Sequence, residues 1–219
     1  MLTEARAPMV AGLHGWSTIV RGEPGRAPCD LVRTLRADLE RYRPRLVVLE
    51  TVGDALTPCI RDRGAFGSRA HVDATLDDVE RFVDAASHAG ARVLLVMPPP
   101  IGGRAARDDR SVSALGLGLT RIAGTRRGVS AVQGPRRAVA PDGVFAATLP
   151  CRPDEAGRPD CHTGRIAARD PYFGIHFCPV GYPDDAAIFH GCAVYSSGAR
   201  RFGQALAAAI GSSLGAPRG

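Results

Sequence analysis

His176 lies in the stretch Asp170-Pro171-Tyr172-Phe173-Gly174-Ile175-His176-Phe177-Cys178, between two apolar residues and just after a proline and a glycine that break regular structure. Imidazole titrates near neutral pH, and a loop histidine ahead of a C-terminal helix is well placed to be a general base. That helix is expected to open at Tyr195-Ser196-Ser197-Gly198-Ala199-Arg200, beyond a Gly-, Pro- and Asp-rich loop over 180–187. A base needs a nucleophile to deprotonate. Gly211-Ser212-Ser213-Leu214-Gly215 fits G-x-S-x-G, but that elbow requires a strand before it and a helix after it. Here it trails a helix into a Pro/Gly tail, so a chance match is the reading. Ser196 and Ser197 read as helix caps, and Ser17 stands at a strand start with no motif.

The six cysteines fall as local couples, Cys29 with Cys59, Cys151 with Cys161, and Cys178 with Cys192. An even count points to a disulfide framework in an oxidising compartment, with adjacent pairing as the expectation. The rival is a metal site built on His176-x-Cys178 and His190-x-Cys192, since alternate residues of a strand share one face. The spacing between those couples matches no zinc motif, and Cys151 and Cys161 would be left over. No metal and no cofactor is therefore expected. The net charge of +6 comes entirely from arginine. The arginines are scattered, without a recognition motif or interleaved aromatics, so nucleic acid is not an expected partner. No run approaches a membrane span, and residues 1–20 lack a basic flank followed by an apolar segment.

The elements that must position this chemistry alternate between strand and helix. A helix is expected over 3–14, with Thr3 as N-cap, and a short strand over Ser17–Arg21. The next helix runs from Asp30 to Tyr42 and is stopped by Arg43-Pro44. Leu46-Val47-Val48-Leu49-Glu50 is a continuous apolar run, as in a strand of a parallel sheet covered on both faces. It leads into a loop holding Gly53, Asp54 and Cys59, at the carboxyl end of a central strand, where open α/β sheets gather their chemistry. Leu76–Ala89 is read as a helix stopped by Gly90, and Arg92–Met97 as a second buried strand closed by Pro98-Pro99-Pro100. A helix weakened by Gly116 and Gly118 is expected over 111–124, a strand over Val129–Val132, and a last helix over Tyr195–Ile210. Residues 133–170 read as an ordered, disulfide-braced excursion of a single domain spanning 1–219. The alternation argues for an α/β fold with three layers.

In that order, Gly25, the Gly53-Asp54 loop, the Pro98-Pro99 strand end and the Gly-Ile-His loop resemble the SGNH (GDSL-like) hydrolase superfamily. The likeness is to its secreted actinobacterial-type members and to the SGNH domains attached to membrane acyltransferases. Arg43-Pro44-x-Leu46-Val47-Val48-Leu49-Glu50, with Gly53 and Thr57-Pro58-Cys59, is similar to that family's third block. Gly-Ile-His-Phe-Cys-Pro and Tyr-Ser-Ser-Gly-Ala are similar to its last. The resemblance implies a three-layer α/β/α, flavodoxin-like fold with a parallel sheet, and an esterase or O-deacylase acting on acylated carbohydrate, lipid or cell-wall substrates. It implies His176 as the base, and Gly25 as an oxyanion-hole N–H donor. Asp54 stands at the family's asparagine position, where an ionised carboxylate has no N–H to give. Phe173 stands where the family's aspartate precedes the histidine, leaving Asp170 as a substitute. The first strand and its Gly-Asp-Ser block are expected before Met1. An extracytoplasmic location and association with a membrane or cell wall through such a preceding part are implied as well. The alternative is a non-catalytic, secreted SGNH-like binding module that keeps the cleft.

Overall fold

The computed structural model describes residues 5–21, 25–51, 57–100, 109–158, 161–169, 177 and 197–215. These fall into two compact units. The chain is α/β.

The unit formed by residues 21–98, 110–133 and 210–219 holds a parallel sheet of β1 (Leu46–Glu50), β2 (Arg92–Val96) and β3 (Val129–Val132), in the order β1-β2-β3. Leu46 lies opposite Arg92, and Val93 opposite Val129. The connecting helices are α4 (Arg69–His88) and α5 (Asp109–Thr125), preceded by α2 (Pro28–Tyr42). Right-handed crossovers in a sheet that advances one way put both connecting helices on one face. The core agrees: Leu35 and Leu39 of α2, Val72, Leu76, Val79 and Phe82 of α4, and Leu115, Leu119 and Ile122 of α5 pack with Leu49, Val93, Leu95 and Val129.

Local chemistry sets the helix ends. Pro28 opens α2, where its missing N–H costs nothing, and the Asp30 carboxylate accepts the Ala27 N–H at 3.1 Å. Arg43 caps the far end in the left-handed region, at φ 44°, with Pro44 behind it. Helix α4 begins earlier than the expected Leu76, because Ser68 is a working N-cap that accepts the His71 N–H at 3.2 Å. The apolar stripe that betrays a helix starts only at Val72, and the polar residues around it mask the first turns. Gly118 does not break α5. A Cβ there would lie 2.4 Å from the Leu76 methyls, so the glycine is what lets α4 and α5 approach.

The other unit comprises residues 1–20, 99–109 and 134–209. It contains α1 (Arg6–Ala11), α6 (Gly134–Val139), and an antiparallel sheet of β4 (Thr148–Pro150), β5 (Cys161–His162) and β6 (Arg165–Ala167) in the order β4-β6-β5. Most of α7 (Ser197–Leu214) belongs to it. Leu149, Ile166 and Ala168 form a small core against the Cys151–Cys161 disulfide. Phe145, Phe177 and Phe202 stack in a row, with ring centroids 5.4 and 5.3 Å apart. Helices α1 and α7 touch through glycines: a Cβ on Gly203 would sit 2.7 Å from the Ala5 carbonyl, and one on Gly12 2.7 Å from the Ala207 Cβ.

Two local expectations are corrected. Ser17–Arg21 forms no strand. Ile19 is 46% exposed, and Arg21 turns to pair with Asp38 of α2 at 2.9 Å. A short β-branched run becomes a strand only where a neighbour offers a ladder and a face to bury. The first helix is also shorter than 3–14, closing at Ala11, with Thr3 outside the described residues. Among the described residues, no helix is long and apolar enough to cross a membrane.

Candidate functional site

The turn that carries Gly25 precedes α2, and the segment that follows β1 leads into α3 (Pro58–Arg61). Gly25 has φ 75°, a conformation open to glycine at little cost. Two residues on, Ala27 is fully buried with Ile60 and Ala74. The Cys29–Cys59 disulfide fastens these segments, with the two Cα atoms 6.2 Å apart. Thr57 Oγ1 lies 3.4 Å from Cys59 Sγ, and Thr51, at the end of β1, is buried. The bridge thus holds the Gly25 turn beside the carboxyl end of a parallel strand, where α/β sheets place their ligands.

Of the three residues singled out from the sequence, Gly25 is positioned in this way. Asp54 and His176 lie outside the described residues, as do Asp170, Phe173, Cys178, His190 and Cys192. Two of the three adjacent cysteine pairings are present, Cys29–Cys59 and Cys151–Cys161. Both are compatible with an oxidising, extracytoplasmic compartment. Ser212 and Ser213 of the G-x-S-x-G match sit inside the last turns of α7, so the strand-turn-helix elbow that would expose a serine is not formed there. Among the described residues, Cys29, Asp30 and Cys59 bring potential metal-ligand atoms within 4.8 Å of one another. The two sulfurs are bonded to each other, however, and a metal needs thiolates.

Three polar features escaped the sequence reading. Asp78 of α4 is fully buried and takes Arg63 at 2.5 Å and Arg81 at 2.7 Å, while Arg63 also donates to the Ala74 carbonyl at 3.0 Å. His71, 2% exposed, accepts the Gly67 N–H on Nδ1 at 3.4 Å, which leaves its proton on Nε2, where no partner is found. Its ring packs on Phe66, with centroids 5.4 Å apart. The third is in the other unit: Glu155 and Arg201 form a buried ion pair, 3% and 6% exposed. Burial pushes the Glu155 carboxyl up, but hydrogen bonds from Arg201 and the Arg152 N–H, with the arginine charge, hold it below the usual carboxylate value. Arg63, Asp78 and the Glu155–Arg201 pair are scaffold: each donor and acceptor is matched within its own unit. The chain matches no protein-family model, no curated protein and no solved structure.

Proposed function

We propose that this chain is an SGNH-type hydrolase domain that cleaves acyl esters of carbohydrate, lipid or cell-wall substrates outside the cytoplasm. In this reading His176 is the general base. The Gly25 N–H donates to the oxyanion, and Asp54 borders the same hole. The observation that carries it is the Cys29–Cys59 fastening, which keeps the Gly25 turn at the carboxyl end of β1, next to the segment that contains Asp54. The topology is in keeping with it. A 2-1-3-4-5 doubly wound sheet has its later strands adjacent and sequential, with their crossover helices on one face, as β1-β2-β3 with α4 and α5 have. Its first and last helices share the opposite face, and α1 and α7 are in close contact here.

Asp54, in place of an amide donor, favours a second reading: a binding module that keeps the cleft and has lost turnover. One experiment separates them. The chain, alone and with the residues encoded in frame before Met1, is assayed on p-nitrophenyl acetate and on acetylated polysaccharide, and is labelled with a fluorophosphonate. The hydrolase reading expects turnover, a labelled serine, and loss of about a hundredfold or more in His176→Ala, the usual scale of general-base catalysis. No label in either form, or turnover indifferent to His176→Ala, leaves the binding module.

A further inference from the structure

A groove runs between α4 and α5 on the outer side of the helical layer. Its volume is about 480 Å³, within the range of small-ligand sites, about 300–1,000 Å³. One wall is Arg69, Val72, Asp73 and Leu76; the other is Ala114, Leu117, Gly118 and Arg121. Both walls follow the i, i+3, i+4, i+7 spacing of a single helix face. The two helices connect parallel strands and so run the same way, which puts Arg69 and Arg121 towards opposite ends of the groove. From the level of Ser111 to Arg121 is ten residues of helix, about 15 Å.

Its chemistry is unusual for solvent-exposed surface. Leu117 is 73% exposed, although it lies beside Val72, Leu76 and Ala114. An exposed apolar strip rimmed by polar residues marks a binding groove. Of the two arginines, Arg69 is paired with Asp73 at 3.6 Å. Arg121 has no ion-pair partner among the described residues: its carbonyl accepts the Thr125 hydroxyl, and its guanidinium is left for something else. An apolar trough with one uncommitted guanidinium at its end matches a single-chain amphiphile with an anionic head.

We propose that the α4–α5 groove binds a medium-chain carboxylate, the chain lying over Val72, Leu76, Ala114 and Leu117 and the head group on Arg121. The site is independent of the hydrolase reading. Isothermal titration of the full chain with dodecanoate below its micelle threshold tests it, with dodecanol and dodecyltrimethylammonium as neutral and cationic counterparts. One-to-one saturable binding of dodecanoate is expected. Ala114→Trp, which fills the trough from an exposed position, should abolish it. Arg121→Gln should weaken dodecanoate about tenfold, the scale of a charge-assisted hydrogen bond, and leave dodecanol unchanged. Circular dichroism melts check that both variants fold. Absence of saturable binding, equal binding of the cationic amphiphile, or wild-type affinity in Ala114→Trp would overturn it. So would a dimer that Ala114→Trp dissolves, since the groove would then belong to a second copy of the chain.

Discussion

Replacing Arg201 by methionine probes the least exposed charge pair described here. The guanidinium gives Glu155 both of its bonds, Nε to Oε1 at 2.9 Å and a second to Oε2, and also donates to the Pro150 carbonyl at 2.6 Å. Glu155 Oε2 takes the Arg152 N–H as well, at 2.8 Å. Methionine keeps most of the volume and removes every donor, so a carboxylate 3% exposed is left with one backbone N–H. Breaking one side of a buried pair costs about 3–5 kcal/mol, or about 6–20 °C of melting temperature for a chain of this length. The acid limb gives a second readout. In the native protein the Glu155 carboxyl is held low, so its stabilisation is present above the unfolded carboxylate value and is lost as pH falls through the folded one. In Arg201→Met burial is no longer opposed, and the carboxyl rises above its unfolded value. Lowering the pH from 7 to 5 then relieves the variant instead of weakening it. In Glu155→Leu/Arg201→Met the buried charge is gone, and part of the loss should return. Urea and thermal melts across that pH range measure all of this. A loss under about 1 kcal/mol, or an unchanged acid limb in Arg201→Met, would refute the account of the pair.

Further outcomes follow from the packing. Gly203→Val should cost about 1–3 kcal/mol by overpacking α1 against α7, whereas Gly211→Ala, with nothing within 4 Å of the new methyl, should gain about 0.5–1 kcal/mol of helix stability; equal effects in urea melts would contradict the contact. Removing Cys29–Cys59 by paired alanines should cost about 3.6 kcal/mol and removing Cys151–Cys161 about 2.7, from loop-closure entropy over separations of 30 and 10 residues; the reverse order would show that strain or local packing dominates. His71→Leu should stay within about 1 kcal/mol of the parent, because the lost Gly67 bond is offset by removing an unpartnered buried N–H; a fall of several kcal/mol would mean that Nε2 has a partner.

The parallel sheet was legible because Leu46–Glu50 and Arg92–Val96 are apolar on both faces, a pattern that few other environments accept. Two disulfides were legible because closing neighbours along the chain needs little rearrangement. The failures have physical causes. Ile19 and its neighbours have strand propensity, but propensity does not supply a partner strand, and Arg21 found Asp38 instead. The first turns of α4 carry His71, Asp73, Asp77 and Asp78, which hide a helix whose cap, Ser68, was in plain view. Gly118 looked like a weakness in α5 and is a contact. Glu155 and Arg201 are 46 residues apart, and nothing local distinguishes them from the other exposed-looking charges of an arginine-rich chain. Of the candidate site, the Gly25 turn and its disulfide neighbour were legible; Asp54 and His176 lie outside the described residues.

The closure of α1 on α7 bears on how the protein is made. The parallel sheet and the three helices over it are complete once residue 133 has left the ribosome, and their contacts are among successive elements. The unit containing α1 must wait for a helix that starts at Ser197. Until then the apolar side of α1, including Met9, has no cover. Vectorial synthesis therefore leaves the amino-terminal helix as the last segment to dock, exposed to chaperones and proteases for nearly the whole of translation. A chain stalled or truncated before α7 would keep its sheet and lose its beginning.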